Sequence, residues 1–324
     1  MNDFCLIKNK CNKSDINGYG SVDYSFFIQR NFITYKDFTM FLNDIGNEAI
    51  KLNIYDEHLQ QVIYYSNNVF NTKDEIDINL PATYINLEKL QQYCNWKNNK
   101  EINNDDTIES SVSNKYWIPN YNEFYKSVYY NPYKQKYSIF PNNKDDVDKI
   151  NVNENHISSY GLINAGFKFF NILRDNNKKN KYLIAGGAQN RHPSNAKAGV
   201  KFYVSNNYHS SYISGRLCKK CDTHTISILL YDVYGDGWQD NYIRVTDSSN
   251  NIIADKIALK DGYGPLSFDL QIETLEKYIY IIYVKNNNQH YENYYEIYKN
   301  SKCLFKSNQH ETPPIKNKVF IGNE

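Results

Sequence analysis

Residues 116–132 read YWIPNYNEFYKSVYYNP. Asn120 stands at a helix N-cap position and Glu123 follows three residues later, the spacing of a capping box. Tyr121, Phe124, Tyr125 and Val128 then form one stripe of a short amphipathic helix. The same grammar occurs upstream. Thr34 precedes YKDFTMFLNDIG, where its hydroxyl can cap the Asp37 amide, and Phe38, Phe41, Leu42 and Ile45 share a face. INLEKLQQYCNW, 85–96, predicts another helix, capped by Asn86, with Leu87, Leu90 and Cys94 inward. Ahead of these, SVDYSFFIQRNFI, 21–33, has the aromatic and β-branched character of a strand. The Asn-rich stretches 97–114 and 142–155 predict loops, and residues 1–16 an irregular leader.

Helix signals stop near residue 221. TISILLYDV, NYIRVTD, NNIIADKIAL, LSFDLQI, KYIYIIYVK, NYYEIYK and KCLFK are seven short strand candidates at regular intervals, which predicts an antiparallel sandwich. The expected organisation is therefore an α+β domain over 17–220 and a β-sandwich over 222–324, with a boundary at about 220–224.

The 324 residues carry 37 basic and 36 acidic side chains, a balance that gives no electrostatic case for nucleic acid or an anionic membrane. No segment approaches the roughly 18–20 apolar residues of a membrane helix. MNDFCLIKNK lacks the apolar run of an ordinary signal peptide, so a virion or cytoplasmic location is the expectation and the compartment stays open. Tyr is abundant, at 31 residues, which serves cores and binding surfaces alike and also fits an AT-rich coding sequence. The six cysteines are unevenly spaced, unlike a disulfide scaffold. Cys218 and Cys221 form a CxxC that could join Cys5 and Cys11 in a zinc site, pair locally, or stay reduced.

Four blocks in order resemble the formylglycine-generating enzyme (sulfatase-modifying factor) family. FFIQRNFITYKDFTMFLND, 26–44, is similar to its opening strand and helix, and LPATYINLEKLQQYCNW, 80–96, to its segment ending in YCNW. In 116–132, Pro119, Asn120, Glu123 and Phe124 match the Pro, Thr, Glu and Trp of its LPTEAEWEKAA block. SYGLINAGFKFFN, 159–171, resembles its YGLYDMGGNVWEW block. The resemblance covers about the first 220 residues and implies a C-type lectin-like fold.

The departures concern chemistry. The family's GNVWEW is here Gly166-Phe167-Lys168-Phe169-Phe170-Asn171, and its IGFRL is YISGRL, 212–217, which keeps Arg216. Gly186 and Gly187, in AGGAQNRHPSNAKAG (185–199), match the glycines of its RGGS corner, and a sharp turn there explains them structurally. The family's two copper-binding cysteines fall at about Arg191 and Ala196, and no cysteine occurs between Cys94 and Cys218. A guanidinium and a methyl group supply no thiolate, so the resemblance implies neither copper nor the oxidase step here. His156, His192 and His209 show no metal-binding spacing, and a relocated metal site would be needed for an oxidase or hydroxylase.

YDVYGDGWQDN, 231–241, resembles the DSYGDGWNGN signature of a β-sandwich module of surface proteins, and YENYYEIYKN, 291–300, resembles its SEISWEI strand. Gly235 and Gly237 permit left-handed turns. Asp232, Asp236 and Asp240 recur every four residues, and Glu292 could add a carboxylate, so Ca²⁺ is the candidate ion. Asx-turn chemistry alone is the alternative. Trp238 reads as a lid on the core or as a sugar-stacking platform.

In C-type lectin-like scaffolds the late irregular loops carry the ligand contacts. Here that region, 200–215, holds Tyr203, Asn206, Asn207, Tyr208, His209 and Tyr212, rigid rings beside small hydrogen-bonders. The sequence thus predicts a non-catalytic recognition or structural protein binding a glycan or protein ligand, with no membrane insertion and its oligomeric state open. Its composition and two surface-type modules suit a component of a large virus particle. A divergent formylglycine-type oxidase or hydroxylase is the rival reading.

Overall fold

The computed structural model describes residues 3–103, 115–142, 155–175, 178–221, 223–273, 277–288, 290–299 and 302–322. The chain is β-rich with few helices and divides into two compact units, Met1–Lys220 and Cys221–Glu324. Among the described residues no helix is long and apolar enough to cross a membrane.

In the first unit the elements are β1 (Phe4–Ile7), β2 (Phe26–Gln29), α1 (Tyr35–Ile45), α2 (Glu48–Lys51), β3 (Ile63–Ser66), β4 (Val69–Thr72), α3 (Leu87–Asn103), β5 (Tyr116–Trp117), α4 (Tyr121–Tyr129), β6 (Tyr130–Asn131), β7 (Lys136–Tyr137), β8 (Phe170–Leu173), β9 (Lys181–Ala185), β10 (Lys201–Ser205), β11 (Ile213–Ser214) and β12 (Cys218–Lys220). Two sheets organise it, β1-β2-β12-β5 and β10-β9-β8-β11, with β3-β4 and β6-β7 as separate pairs. Both helix starts follow their capping signals. The Asp37 amide donates to Thr34 Oγ1 (3.2 Å) and the Thr34 amide to Asp37 Oδ2 (3.0 Å). At α4 the Glu123 amide donates to Asn120 Oδ1 (3.0 Å) and the Asn120 amide to Glu123 Oε2 (2.6 Å). The apolar stripe of α1 packs with α3 and β8 residues in one core, while Phe124, Tyr125 and Val128 join β2 in another.

Two expectations are corrected. Residues 1–16 are no irregular leader: Phe4–Ile7 pair antiparallel with β2, and Asn12 is buried with its amide on Gly20 O. Residues 97–103 are the last turns of α3 rather than a loop; residues 104–114 and 143–154 lie outside the described residues. The extension is held from outside the helix. Asn98 Nδ2 donates to Tyr116 O (3.0 Å) and Oδ1 accepts from Tyr116 N (2.8 Å), so tertiary pairing overrides poor helix propensity. Of the alternatives open for the cysteines, a disulfide is not formed: all six are free thiols. Cys5 and Cys218 pair with Ile28 from opposite sides, about 10 Å apart across two strand spacings, too far for a disulfide or one zinc shell. Burial pushes both thiols up.

The second unit has β13 (Thr223–Asp232), β14 (Tyr242–Thr246), β15 (Ile252–Ile257), β16 (Leu266–Glu273), β17 (Tyr278–Val284), β18 (Asn293–Lys299), β19 (Lys302–Lys306) and β20 (Lys316–Phe320). They form two four-stranded antiparallel sheets, β16-β13-β18-β19 and β15-β14-β17-β20. Period-two alternation drives this: Ile226, Ile228 and Leu230 of one sheet share a core with Ile279, Ile281 and Tyr283 of the other. The eighth strand, β20, has no counterpart in the sequence reading, because KNKVF offers only Val319 to that core.

Arg216 is buried inside the first unit. Its Nη1 donates to Gln29 O (3.0 Å) and Arg30 O (2.5 Å), Nη2 to Ile163 O (2.5 Å), and Nε to Asn171 Oδ1 (3.2 Å). The guanidinium also lies 3.9 Å from the centre of the Phe32 ring. Burial pulls its pKa down to about 9, which leaves it charged at neutral pH. Lysine cannot reach these divergent acceptors with one ammonium. Arg216→Lys is expected to lower the unfolding free energy of the first unit by about 3 kcal/mol, measured by urea denaturation.

Candidate functional site

Gly186 leaves β9 with φ +86°, and a Cβ there would lie 2.7 Å from Gly166 Cα. The Gly187 amide donates to Gly166 O at 2.6 Å. Two backbone segments thus touch, and glycine is the residue that permits it. The chain after this corner carries Asn190, Arg191 and Asn195 into the wall of a cleft of ≈ 340 Å³. Phe170, Phe202, Tyr203, Tyr208 and Tyr212 supply aromatic surface to the same cleft. Arg191 is exposed, while Ala196 is buried against Phe140 and Phe167. The two places that the resemblance assigns to thiols therefore differ: one faces the cleft and the other fills a core.

Several groups fix the cleft walls. Tyr203 OH donates to Asp175 Oδ2 (2.5 Å), and this bond, then burial, pushes the phenol up to about 12. Tyr182 OH donates to Tyr208 O at 2.7 Å. Phe170 and Phe202 meet edge-to-face at 5.8 Å. Tyr208 stays 41% exposed, so its ring is available to a ligand.

The six expected face residues do not share one site. Tyr203, Tyr208 and Tyr212 line the cleft, whereas Asn207 and His209 line a second, polar cavity of ≈ 490 Å³. Asn206 offers its carbonyl to Asn86 Nδ2 (2.9 Å), which anchors the turn between the two cavities to the start of α3. Sequence reading missed the partners of His209. Lys89 Nζ lies 2.6 Å from Asp56 Oδ1, and His209 Nε2 3.6 Å from Asp56 Oδ2, with His58 stacked on His209 at 4.2 Å. No local motif joins Asp56, Lys89 and His209. Burial would raise Asp56, but the Lys89 hydrogen bond and the Leu59 amide outweigh it and its pKa falls. Burial, then the Lys89 charge, lowers His209. The His156 ring lies tilted against Phe167 at 4.1 Å, and His192 Nδ1 bonds Ser194 Oγ at 2.8 Å, so the three candidate histidines serve three separate places.

In the second unit, carboxylate oxygens of Asp232, Asp236 and Glu292 lie within 4.8 Å of one another, the one such group among the described residues. Asp240 is not part of it, a correction to the four-residue spacing. Gly235 (φ +81°), Gly237 (φ +84°) and Gln239 (φ +46°) turn the chain between Asp232 and Asp240, and Asp240 O accepts from Asn286 Nδ2 (2.7 Å). Asp232 Oδ1 caps the turn by accepting from the Tyr234 amide (3.0 Å) and the Gly235 amide. Burial lifts Asp232 and Glu292 above the usual carboxylate range, and the Asp236 charge adds to it. Trp238 is fully buried, donates from Nε1 to Tyr231 O (2.7 Å) and meets Tyr283 edge-on; it is the core lid and not a stacking platform.

No family model and no curated protein matches the chain. Among solved structures it is similar to CarF, with TM-score 0.46 and 12% identity over 68% of this chain and 98% of that one. It is also similar to PvdO from Pseudomonas aeruginosa (0.39, 10%, 67% and 94%) and to Treponema denticola variable protein 1 (0.38, 11%, 67% and 94%).

The His209 cluster yields a pH prediction. A histidine with a lowered folded pKa takes up its proton more readily when unfolded, so stability falls as pH drops through about 6.5. The lowered pKa of Asp56 acts in the same direction at lower pH. Urea denaturation between pH 8 and 5 should therefore show the first unit weakening on acidification, and His209→Gln should flatten the limb between pH 7 and 5.

Proposed function

We propose that this is a non-catalytic recognition protein, in which a C-type lectin-like unit of the formylglycine-generating-enzyme type binds a glycan or protein ligand and a β-sandwich follows it. The observation that carries the reading is the make-up of the cleft wall. Asn190, Arg191 and Asn195 line the same concave surface as Tyr208, Tyr212 and Phe202. Aromatic faces take the apolar face of a sugar ring or a side chain, and the amides and guanidinium take hydroxyls or a carboxylate. The side chains lining this cleft include no thiol, imidazole or carboxylate, the groups that hold copper or iron.

The divergent oxidase or hydroxylase remains the rival. Both readings meet in one experiment on the full chain. Immobilised oligosaccharide panels and pull-downs should yield a ligand whose affinity drops about ten- to hundredfold in Tyr208→Ala and Arg191→Ala, with melting temperature unchanged. Oxygen consumption with a thiol peptide, abolished by Arg191→Ala, would overturn the recognition reading.

A further inference from the structure

Asp232 and Glu292 are each 2% exposed, and each keeps one carboxylate oxygen, Oδ2 and Oε1, buried with no hydrogen-bond partner. Orphaned buried oxygens on two acidic residues are costly, and burial beside a third carboxylate raises that cost. The leading charges acting on Glu292 are those of Asp236 and Asp232, and the leading charge acting on Asp232 is that of Asp236, all of like sign. Turn chemistry accounts for Asp232 Oδ1, which holds the Tyr234 and Gly235 amides. It does not account for the second oxygen, nor for Glu292, which arrives from the segment just before β18.

We propose that Asp232, Asp236 and Glu292 bind one divalent cation, Ca²⁺, which clips the 232–238 turn to the start of β18. The donor set is all oxygen, which selects a hard ion over zinc or copper. The three oxygens, all within 4.8 Å of one another, fit inside the roughly 4.6–5.2 Å span across a calcium shell, and calcium's tolerance of irregular oxygen shells suits ligands drawn from a turn and a strand start. Asn293 is the register partner of Asp232, and its Oδ1 is likewise buried without a partner, which puts a neutral oxygen next in line. Water completes the shell from the side of Asp236, the exposed member of the group. The turn that the ion fixes carries Tyr234, 59% exposed, and Glu292 follows Tyr291, 43% exposed, so ion binding sets the positions of two protruding rings.

This inference concerns the second unit and stands apart from the cleft reading. Its test is titration of the metal-stripped full chain with CaCl₂, followed by calorimetry and thermal unfolding. One site per chain is expected, with a Kd of about 10⁻⁵–10⁻³ M. The second-unit melting temperature should rise by about 10 °C when calcium is a hundred times Kd. Asp236→Asn and Glu292→Gln should each weaken binding at least tenfold and leave the metal-free melting temperature unchanged or higher, because each removes like-charge repulsion. Asp240→Asn should bind as the wild type does. The proposal falls if calcium binding is not saturable, if Asp236→Asn keeps the wild-type response, or if that variant lowers the melting temperature equally with calcium and with chelator. Asp236 is exposed, so its variant folds even if Glu292→Gln does not.

Discussion

The Arg216 guanidinium is the tie on which the first unit depends. It is buried without a carboxylate, and its acceptors come from four places in the chain: the end of β2, residue 30 just beyond it, residue 163, and Asn171 on β8. Burying a charge costs several kcal/mol, and hydrogen bonds to a charged group contribute about 1.5–3 kcal/mol each, so the two nearly cancel. What remains is geometry. The planar fork holds the β2 and β8 sheets at one distance and fixes the segment that runs from Ile163 to Gly166. That segment is the one Gly186 and Gly187 touch, and the cleft begins where the chain leaves that contact.

The corner and the cleft follow from this frame. Ala196 packs into the small core of Phe140 and Phe167, which closes the space beneath Gly187. Arg191 is left at the cleft wall. Beyond β10, the turn held by Asn86 separates an aromatic cleft from a polar cavity. Two surfaces of opposite character therefore sit on either side of a few residues. The aromatic side leaves the Tyr208 ring exposed, whereas the Asp56–Lys89 pair on the other side is internally satisfied.

What could be read in the sequence was local. The capping boxes at Thr34 and Asn120 span three residues each, so their geometry is contained in the spacing. Strands such as β13 and β17 show period-two alternation, and that too is local. The misses share the opposite property. β1 is four residues long and draws its partners from β2, and the end of α3 is held by the backbone of Tyr116. His209 gains its character from Asp56 and Lys89, far away in the chain. Asp240 shares the four-residue spacing of Asp232 and Asp236, but the positive φ angles at residues 235, 237 and 239 turn the chain so that equal spacing gives no common direction. Glu292 is legible because it lies within a second motif, YENYYEIYKN.

The two units handle buried charge in contrasting ways. In the first, buried ionic groups are met by donors or acceptors that satisfy them: Arg216 has carbonyls, Lys89 has Asp56, and Glu123 has Tyr24, Trp117 and the Asn120 amide. In the second, Asp232 and Glu292 are brought together by strand register, since β13 and β18 pair along their length and place residues 232 and 293 side by side. Moving either carboxylate away would require breaking that ladder or opening the glycine turn, where a Cβ on Gly237 would strike Lys260 O at 2.4 Å. The backbone therefore enforces a like-charge contact that the side chains alone would avoid. Burial and the neighbouring carboxylate charge raise the Asp232 and Glu292 pKa values, which is the electrostatic consequence of that enforced contact.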